Sequence, residues 1–235
     1  MTRNFELHAL WGARREDIDG SADRCVGFMR SLSEVDEAFR TLGWADYDHG
    51  AAFRQLPLTR DALRERLLLG RQWTDDDEPR LIEDFGFSAE LIDAAVPNER
   101  MRISIRCGAY AKGSRNAVQA NLGGWSAKTT QLALLAAFER TMEVWGAERG
   151  VVLVDGLHKL FPYVAGSLLM GSCLWLPAAP RELPPLPSGA RVEARGGRSS
   201  LIVVTRELFD LDDPAHVDAA RATHAALSGA GLLKL

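Results

Sequence analysis

Cysteine is scarce in this chain, with three residues among 235. Cys25, Cys107 and Cys173 are odd in number and far apart, and no two of them form a Cys-x-x-Cys pair. The sequence therefore predicts neither a disulfide framework nor a zinc site. With 46% hydrophobic and 26% charged residues, the chain has the composition of an ordinary globular protein. We expect reduced thiols, as in a cytosolic protein.

Positive charge is not in excess either. The chain has 28 lysines and arginines against 32 aspartates and glutamates, which gives a formal net charge of -4. Nucleic-acid-binding proteins usually concentrate positive charge on one surface. The balance therefore disfavours a direct nucleic-acid partner and leaves a basic protein partner open.

The sequence also lacks an apolar segment long enough to span a membrane. Residues 161–180 carry no charge, but prolines and glycines interrupt them, whereas a spanning helix needs about 20 apolar residues. The segment from Met1 to Leu10 contains charged residues and lacks the continuous apolar part of a secretory signal. We expect a cytoplasmic protein without a membrane partner.

Familiar catalytic motifs are missing as well. The sequence contains no H-E-x-x-H, G-x-S-x-G or G-x-G-x-x-G, and no cluster of carboxylates and histidines with metal-site spacing. Asp155 and His158 follow an apolar run directly, and the ends of such strands often carry catalytic groups. A small cytosolic hydrolase or transferase centred on these two residues is therefore the alternative function. Because the pair has no further partner, a simple strand-to-turn junction is favoured, and we expect no enzyme, cofactor or metal.

Alternating polarity indicates several strands. Arg102 to Cys107 and Asn116 to Leu122 each place apolar residues on one side only, which predicts two antiparallel neighbours with a core on one face. Phe5 to Trp11 alternates in the same way; we favour Phe5 and every second residue facing the core, although the opposite set also fits. Val151 to Val154 is apolar throughout, as in a strand covered on both faces.

Capping residues and apolar stripes indicate four helices. A fifth, short helix is expected from Ala89 to Val96. In the third helix, Leu132 belongs to the apolar stripe that runs to Trp145 before Gly146 ends the helix. The predicted N-caps are Ser21, Thr59, Ser126 and Asp213.

These elements predict the α+β class. We expect one domain over residues 1–235, in which helices pack on a mixed, largely antiparallel sheet. Gly196-Gly197 is expected at the turn of a hairpin near the carboxyl terminus. The predicted core includes Ile103, Ile105, Met142, Trp145, Val152 and Leu153.

Two clusters are candidates for binding a protein partner. The run from Trp73 to Glu78 is the most acidic stretch of the chain and includes Asp75, Asp76 and Asp77. It fits a solvated loop, and it also fits a contact for a basic partner with Trp73 as an aromatic anchor. The second cluster, Trp11 and Arg14, fits either a strand end with solvated arginines or an exposed contact.

The order of several short motifs resembles the immunity protein 52 family of bacterial polymorphic toxin systems. The amino-terminal half contributes a strand that ends in Trp11-Gly12-x-Arg14 and a first helix that leads to Phe39 and Trp44. The motifs that follow are Gly86-Phe87-Ser88, Cys107-Gly108, Asn116, Leu208-Phe209-Asp210, Asp213-Pro214 and Gly231-Leu232-Leu233.

The resemblance implies an α+β cytosolic antidote that performs no chemistry. Such a protein binds a cognate secreted toxin, in this family commonly a nuclease with a restriction-endonuclease fold, including toxins of type VI secretion. The family pattern transfers no toxin-contacting residues to this chain. The expected toxin-binding residues are therefore Trp73, Asp75, Asp76, Asp77, Glu78, Trp11 and Arg14, taken from the two clusters.

Overall fold

The structure is a computed structural model, and it describes residues 4–46, 52–55, 57–95, 99–162 and 164–235. Within these residues, ten strands form one sheet. The strands are β1 (Phe5–Trp11), β2 (Gly43–Asp46), β3 (Ala52–Gln55), β4 (Phe87–Ile92), β5 (Arg102–Cys107), β6 (Asn116–Asn121), β7 (Arg149–Val154), β8 (Cys173–Leu176), β9 (Arg191–Arg195) and β10 (Ser199–Val203).

The strands follow the spatial order β3-β2-β4-β5-β6-β1-β7-β8-β10-β9, and every pairing described is antiparallel. The described residues also form four α-helices. The predicted α+β class, with helices on a largely antiparallel sheet, is confirmed. The helices are α1 (Ile18–Val35), α2 (Arg60–Leu69), α3 (Gln131–Trp145) and α4 (Pro214–Gly229).

Strands β5 and β6, in which polar and apolar residues alternate, lie near the middle of the sheet. The two strands pair antiparallel, as predicted, with Ile103 opposite Ala120 and Ile105 opposite Val118. On β1, Phe5, Leu7, Ala9 and Trp11 are each at most 3% exposed, so the favoured orientation of that strand is confirmed. All six residues of the predicted core are buried.

Helices α1, α2 and α3 cover this apolar face of the sheet. Gly150 of β7 shows how closely α3 approaches, because a Cβ atom at this position would lie 2.4 Å from the Sδ of Met142. On the opposite face of β7, Val151 and Leu153 are also buried, and Arg149 donates a hydrogen bond of 2.8 Å to the carbonyl of Leu232. The prediction that this strand is covered on both faces is confirmed.

Two of the four predicted N-caps are correct. The side chains of Thr59 and Asp213 accept hydrogen bonds from the first turns of α2 and α4. Ser21 does not cap α1; Asp17 does, by accepting a 2.6 Å hydrogen bond from the Gly20 N–H, while Ser21 is buried in the first turn. The helix begins about one turn earlier than Ser21 indicates, so Ser21 lies inside it and Asp17 occupies the N-cap position.

The third helix also begins later than predicted. Its N-cap is Thr130, and Ser126 is instead buried in a 3₁₀ turn, where its Oγ accepts a hydrogen bond from the Phe5 N–H. Leu132 is 79% exposed, so its place in the apolar stripe is wrong. At 3.6 residues per turn, Leu132 lies about 120° around the helix from the buried Phe138.

The predicted short helix from Ala89 to Val96 is wrong. Its first residues belong to β4, which pairs with β5 through Leu91 opposite Ile103, and Val96 lies outside the described residues. Pairing with β5, the next strand in the sequence, and burial of Leu91 and Ile92 outweigh the weak local helical pattern.

The carboxyl-terminal hairpin is confirmed. Strands β9 and β10 pair from Ser199 opposite Arg195, and Gly196 and Gly197 turn the chain with φ angles of 56° and 76°. These positive angles require residues that adopt the left-handed region without strain.

None of the helices in the described ranges has the length and apolar character needed to cross a membrane.

Candidate functional site

The acidic stretch forms a narrow loop between α2 and β4. Trp73 and Leu81 form an isolated antiparallel bridge, and the Thr74 N–H donates a 2.9 Å hydrogen bond to the Arg80 carbonyl. The Ile82 N–H donates to the Gln72 carbonyl at 2.9 Å. These bonds hold residues 72–82 as a stem with a tip, which we call the acidic loop.

The tip of the acidic loop presents its carboxylates to solvent. Asp75, Asp76, Asp77 and Glu78 are all exposed, as the sequence predicts for a surface loop. Asp76 lies 3.1 Å from Arg80, but an exposed pair of this kind contributes about 0 to 1 kcal/mol. The tip therefore keeps most of its negative charge available to a partner, and its role in toxin binding stays a prediction.

Three large apolar side chains lie within the acidic loop or close to it in the sequence. Leu69 is 69% exposed, Trp73 54% and Phe85 47%. Of these three, the sequence predicts only Trp73 as an anchor. Leu69 and Phe85 were not predicted, although Leu69 falls outside the buried stripe of α2 that contains Leu63 and Leu67. Exposed apolar side chains beside charge are common anchors of protein interfaces.

Trp11 and Arg14 occupy a different environment. Trp11 is 3% exposed and stacks on Trp145 with 5.2 Å between ring centroids. Arg14 donates a 2.9 Å hydrogen bond to the Trp145 carbonyl, and its guanidinium lies 5.5 Å from the Trp11 ring centroid. Their role in toxin binding stays a prediction, but the geometry gives both residues a structural role, and Trp11 offers a partner almost no surface.

Glu16 joins this cluster to α1. Its carboxylate lies 2.7 Å from Arg14 and 3.2 Å from Arg24, and Arg24 donates a 3.0 Å hydrogen bond to the Val144 carbonyl. The last carbonyls of a helix have no partner within the helix, and the negative end of its dipole attracts cations. The two arginines thus bind the carboxyl terminus of α3, and we call Arg14, Glu16 and Arg24 the arginine cap.

Other motif residues meet beside the arginine cap. The Asn116 side chain donates to the carbonyls of Gly12 and Ala109 and accepts a 2.9 Å hydrogen bond from the Ala109 N–H. Gly86 has a φ of 70°, and a Cβ atom there would lie 2.3 Å from the Cys107 carbonyl oxygen. These motifs therefore form a buried junction at one end of β1, β4, β5 and β6.

The face of the sheet opposite the helices is polar between β4 and β1. The strand register places Ser88, Arg106, Ala117 and Leu10 in one row and Glu90, Ser104, Gln119 and His8 in the next. All eight residues are exposed or partly exposed. We call this surface the open face.

A cavity of about 510 Å³ lies on the open face. Arg66, Arg106 and Arg115 line it together with Glu90, Ser104 and Gln119. The sequence predicts a core on one side of β5 and indicates no function for the polar side. The signal was the polar half of the same alternation, in which Arg102, Ser104 and Arg106 share the side opposite the core.

Asp155 and His158 do not form a catalytic centre with each other. Both are exposed, and the Asp155 N–H donates a 3.0 Å hydrogen bond to the Asn4 carbonyl at the end of β7. His158 lines a separate cavity of about 170 Å³ that Asp155 does not line. In the described ranges, no group of three or more histidine, cysteine, aspartate or glutamate side chains is arranged to hold a metal ion.

The architecture defines an α+β protein in which α1, α2 and α3 cover one face of an antiparallel sheet, and rows of exposed or partly exposed residues lie on the other face between β4 and β1. The sequence matches the family described as Immunity protein 52 over residues 5–235. The chain therefore belongs to the Immunity protein 52 family, and the resemblance drawn from its motifs is confirmed. Membership implies a non-enzymatic inhibitor that acts by binding a cognate toxin.

A solved structure shares this fold. The Pseudomonas aeruginosa T6SS protein PA0821 superposes with a TM-score of 0.55 at 14% sequence identity, over 97% of this chain and 73% of that one. At this identity the likeness shows the fold alone. No curated protein matches the sequence of this chain.

Proposed function

We propose that this immunity protein acts in the cytoplasm and neutralises a secreted toxin that is a nuclease with a restriction-endonuclease fold. Family membership supports the immunity role, and the nuclease target is what the resemblance to the family implies. The fold shared with a T6SS protein supports delivery of the toxin by type VI secretion. The negative net charge of the chain suits a partner whose own site is positive.

The observation that carries the proposal is the acidic loop with its apolar neighbours. A nuclease cleft must be positive to hold a polyanion, so a surface that blocks it is expected to be negative. The loop offers four adjacent exposed carboxylates, and Leu69, Trp73 and Phe85 supply apolar contact area within the same segment of chain. Charge then speeds the encounter, and the apolar side chains hold the complex.

Association kinetics test this surface. The binding partner is the toxin domain encoded beside the gene for this chain, in a catalytically inactive form. The test variant carries Asp75→Ser, Asp76→Ser, Asp77→Ser and Glu78→Ser. We expect its association rate at low salt to fall by about ten-fold or more and to lose most of its salt dependence, because steering is lost.

A matched control removes the same charge elsewhere. Glu34, Glu65 and Glu143 are changed to Gln and Asp218 to Asn; all four residues are exposed and lie on helices. An equal loss of association rate in this control would show that the effect comes from the net charge of the chain and not from the acidic loop. If the loop variant kept the wild-type kinetics and the wild-type protection, the acidic loop would be excluded as the binding surface.

Trp73→Ala separates anchoring from steering. Removing a central aromatic anchor increases the dissociation rate, and a hot-spot residue costs about 2 kcal/mol or more. We expect a dissociation rate at least about ten-fold faster with little change in the association rate.

A neighbouring gene for a large secreted protein with a nuclease-like carboxyl-terminal domain would support the same function, whereas a metabolic operon would support the enzyme alternative.

A further inference from the structure

Among the described residues, the three arginines around the cavity of the open face lack the carboxylate partner that their neighbour Arg102 has. Arg102, on the same strand as Arg106, lies 3.2 Å from the carboxylate of Glu90. Within the described ranges, Arg66, Arg106 and Arg115 have no carboxylate within ion-pair distance, and Arg106 and Arg115 are exposed. A cavity that contains one carboxylate, already paired with Arg102, and three guanidinium groups without a carboxylate partner favours an anionic guest.

The wall of this cavity is a built feature of the fold. Gly70 ends α2 against β4: the Ser88 hydroxyl donates a 2.7 Å hydrogen bond to the Gly70 carbonyl, and a Cβ at Gly70 would lie 1.8 Å from the Ser88 carbonyl oxygen. One turn earlier, the Arg66 guanidinium lies 4.8 Å from the ring centroid of the buried Trp44. The helix end and the tryptophan therefore hold Arg66 at the cavity.

Positive charge continues beyond the cavity along the same row of the register. Leu10 stands opposite Ala117 on one side and Arg149 on the other, so Arg149 extends the row that contains Arg106. Burial, with repulsion from Arg115 as a smaller contribution, lowers the pKa of Arg149. The other end of β1 differs in the sign of its charge. Glu6 lies there, and a hydrogen bond with His8 lowers the pKa of its carboxyl group.

We propose that the cavity of the open face is a second contact for the toxin, where Arg66, Arg106 and Arg115 bind aspartate or glutamate side chains of a toxin surface segment. This inference rests on the proposed function. Guanidinium groups bind carboxylates through two parallel hydrogen bonds, and about 510 Å³ accommodates a few side chains. A net charge of -4 and membership of an immunity family favour a protein over a nucleic acid as the guest.

The two surfaces then have opposite signs. The acidic loop attracts a basic region of the toxin, and the arginines accept an acidic one, so the complex forms in one orientation only. Paired patches of opposite charge fix the register of a complex and reject partners with the wrong pattern.

The test compares the inactive toxin domain bound to four forms of the full chain. They are the wild type, Arg106→Gln with Arg115→Gln, Arg106→Lys with Arg115→Lys, and a control with Arg181→Gln and Arg198→Gln, both exposed and in the carboxyl-terminal part of the chain. We expect the first double variant to weaken affinity at least ten-fold, mainly through faster dissociation. The lysine variant should recover part of the loss, since it keeps the charge without the bidentate geometry.

The outcomes separate this inference from the proposed function. Wild-type affinity in the glutamine variant, with the toxin bound by every form, would overturn the second contact and leave the immunity function standing. No binding by the wild type would remove both. A 20-base-pair DNA duplex is tested in parallel, and binding of the duplex by the wild type that is lost in the glutamine variant would assign the arginines to nucleic acid and overturn the proposal. Equal weakening in the Arg181 and Arg198 control would overturn it as well, because only net charge would then matter.

Discussion

Strands β4, β5, β6 and β1 present two very different surfaces. On one face Ile103, Ile105 and Val118 are fully buried beneath helices, whereas on the other Arg106 and Gln119 are exposed in the same strands. Because side chains alternate along a strand, neighbouring residues of the same strand belong to the buried core and to the open face in turn. Rigid strands thus hold the open-face side chains in fixed positions, and those side chains are free to change without loss of the core.

Thiol labelling gives the largest contrast between the faces. Burial raises the pKa of Cys107 and Cys173 to about 12 and raises the pKa of Cys25 well above its usual value. All three are fully buried, so at pH 8 they should react with a thiol reagent only when the chain unfolds. For an unfolding free energy of about 5 kcal/mol or more, this slows labelling by about a thousand-fold or more relative to the denatured chain.

A cysteine placed on the open face should behave in the opposite way. The variant Gln119→Cys adds one thiol at an exposed position of β6, and this thiol should react at nearly the rate of a free cysteine. Absorbance of the released reagent counts the thiols over time. Slow reaction of the new cysteine, or fast reaction of the native three, would contradict the assignment of the two faces.

The next contrast concerns stability. Ile105→Ala removes buried methyl and methylene groups from the covered face and should lower the free energy of unfolding by about 2 to 5 kcal/mol. Its neighbour Ser104→Ala, on the open face, should change it by less than about 0.5 kcal/mol. Urea unfolding measures both variants. A loss below half a kcal/mol for Ile105→Ala would mean that this face is not packed as described.

The arginine cap is expected to have an intermediate effect. Arg24→Ala removes the contacts with Glu16 and the Val144 carbonyl, and a hydrogen bond that involves a charged group contributes about 1.5 to 3 kcal/mol. We expect a loss of about 1 to 3 kcal/mol. Arg30→Ala, an exposed arginine of the same helix, is the matched control and should stay within about 0.5 kcal/mol. Similar losses in both variants would show that the cap adds nothing.

The smallest effect is expected outside both faces. Asp155→Ala and His158→Ala change exposed residues beyond the end of β7, so each should leave stability within about 0.5 kcal/mol and protection against the toxin unchanged. Survival of cells that express the toxin measures protection. If either change abolished protection while folding and toxin affinity were preserved, the enzyme alternative would return.

Strand alternation made the centre of the fold predictable. Ile103, Ile105 and the odd-numbered residues of β1 were assigned correctly because one buried face leaves a period of two in the sequence. Two of the wrong assignments come from contacts outside the local sequence window. Ser126 resembles a cap but accepts a hydrogen bond from the Phe5 backbone, which is remote in sequence. Leu91 pairs with Ile103 of the next strand, a contact outside the short window from which a helix was predicted.

The candidate surfaces were only partly predictable. The composition of four adjacent carboxylates is enough to predict an exposed loop. The sequence does not predict the arginine group. Arg66, Arg106 and Arg115 come from a helix, a strand and a loop, and only the folded sheet brings them around one cavity. Trp11 and Arg14 show the reverse: their sequence also fits an exposed contact, but Trp11 stacks on Trp145 and Arg14 bonds to the Trp145 carbonyl, which places both in a structural cluster.

The buried junction of Gly12, Gly86, Asn116 and the arginine cap has a consequence for how such antidotes diversify. The residues by which the family resemblance is recognised hold the framework, while the acidic loop and the open face lie outside that framework. If these two surfaces bind the toxin as proposed, a lineage is free to change its toxin without changing the residues by which the family is recognised. Grafting the residues of these two surfaces from one family member onto another should therefore exchange which toxin each cell survives, while recognition of either chain as a relative stays the same.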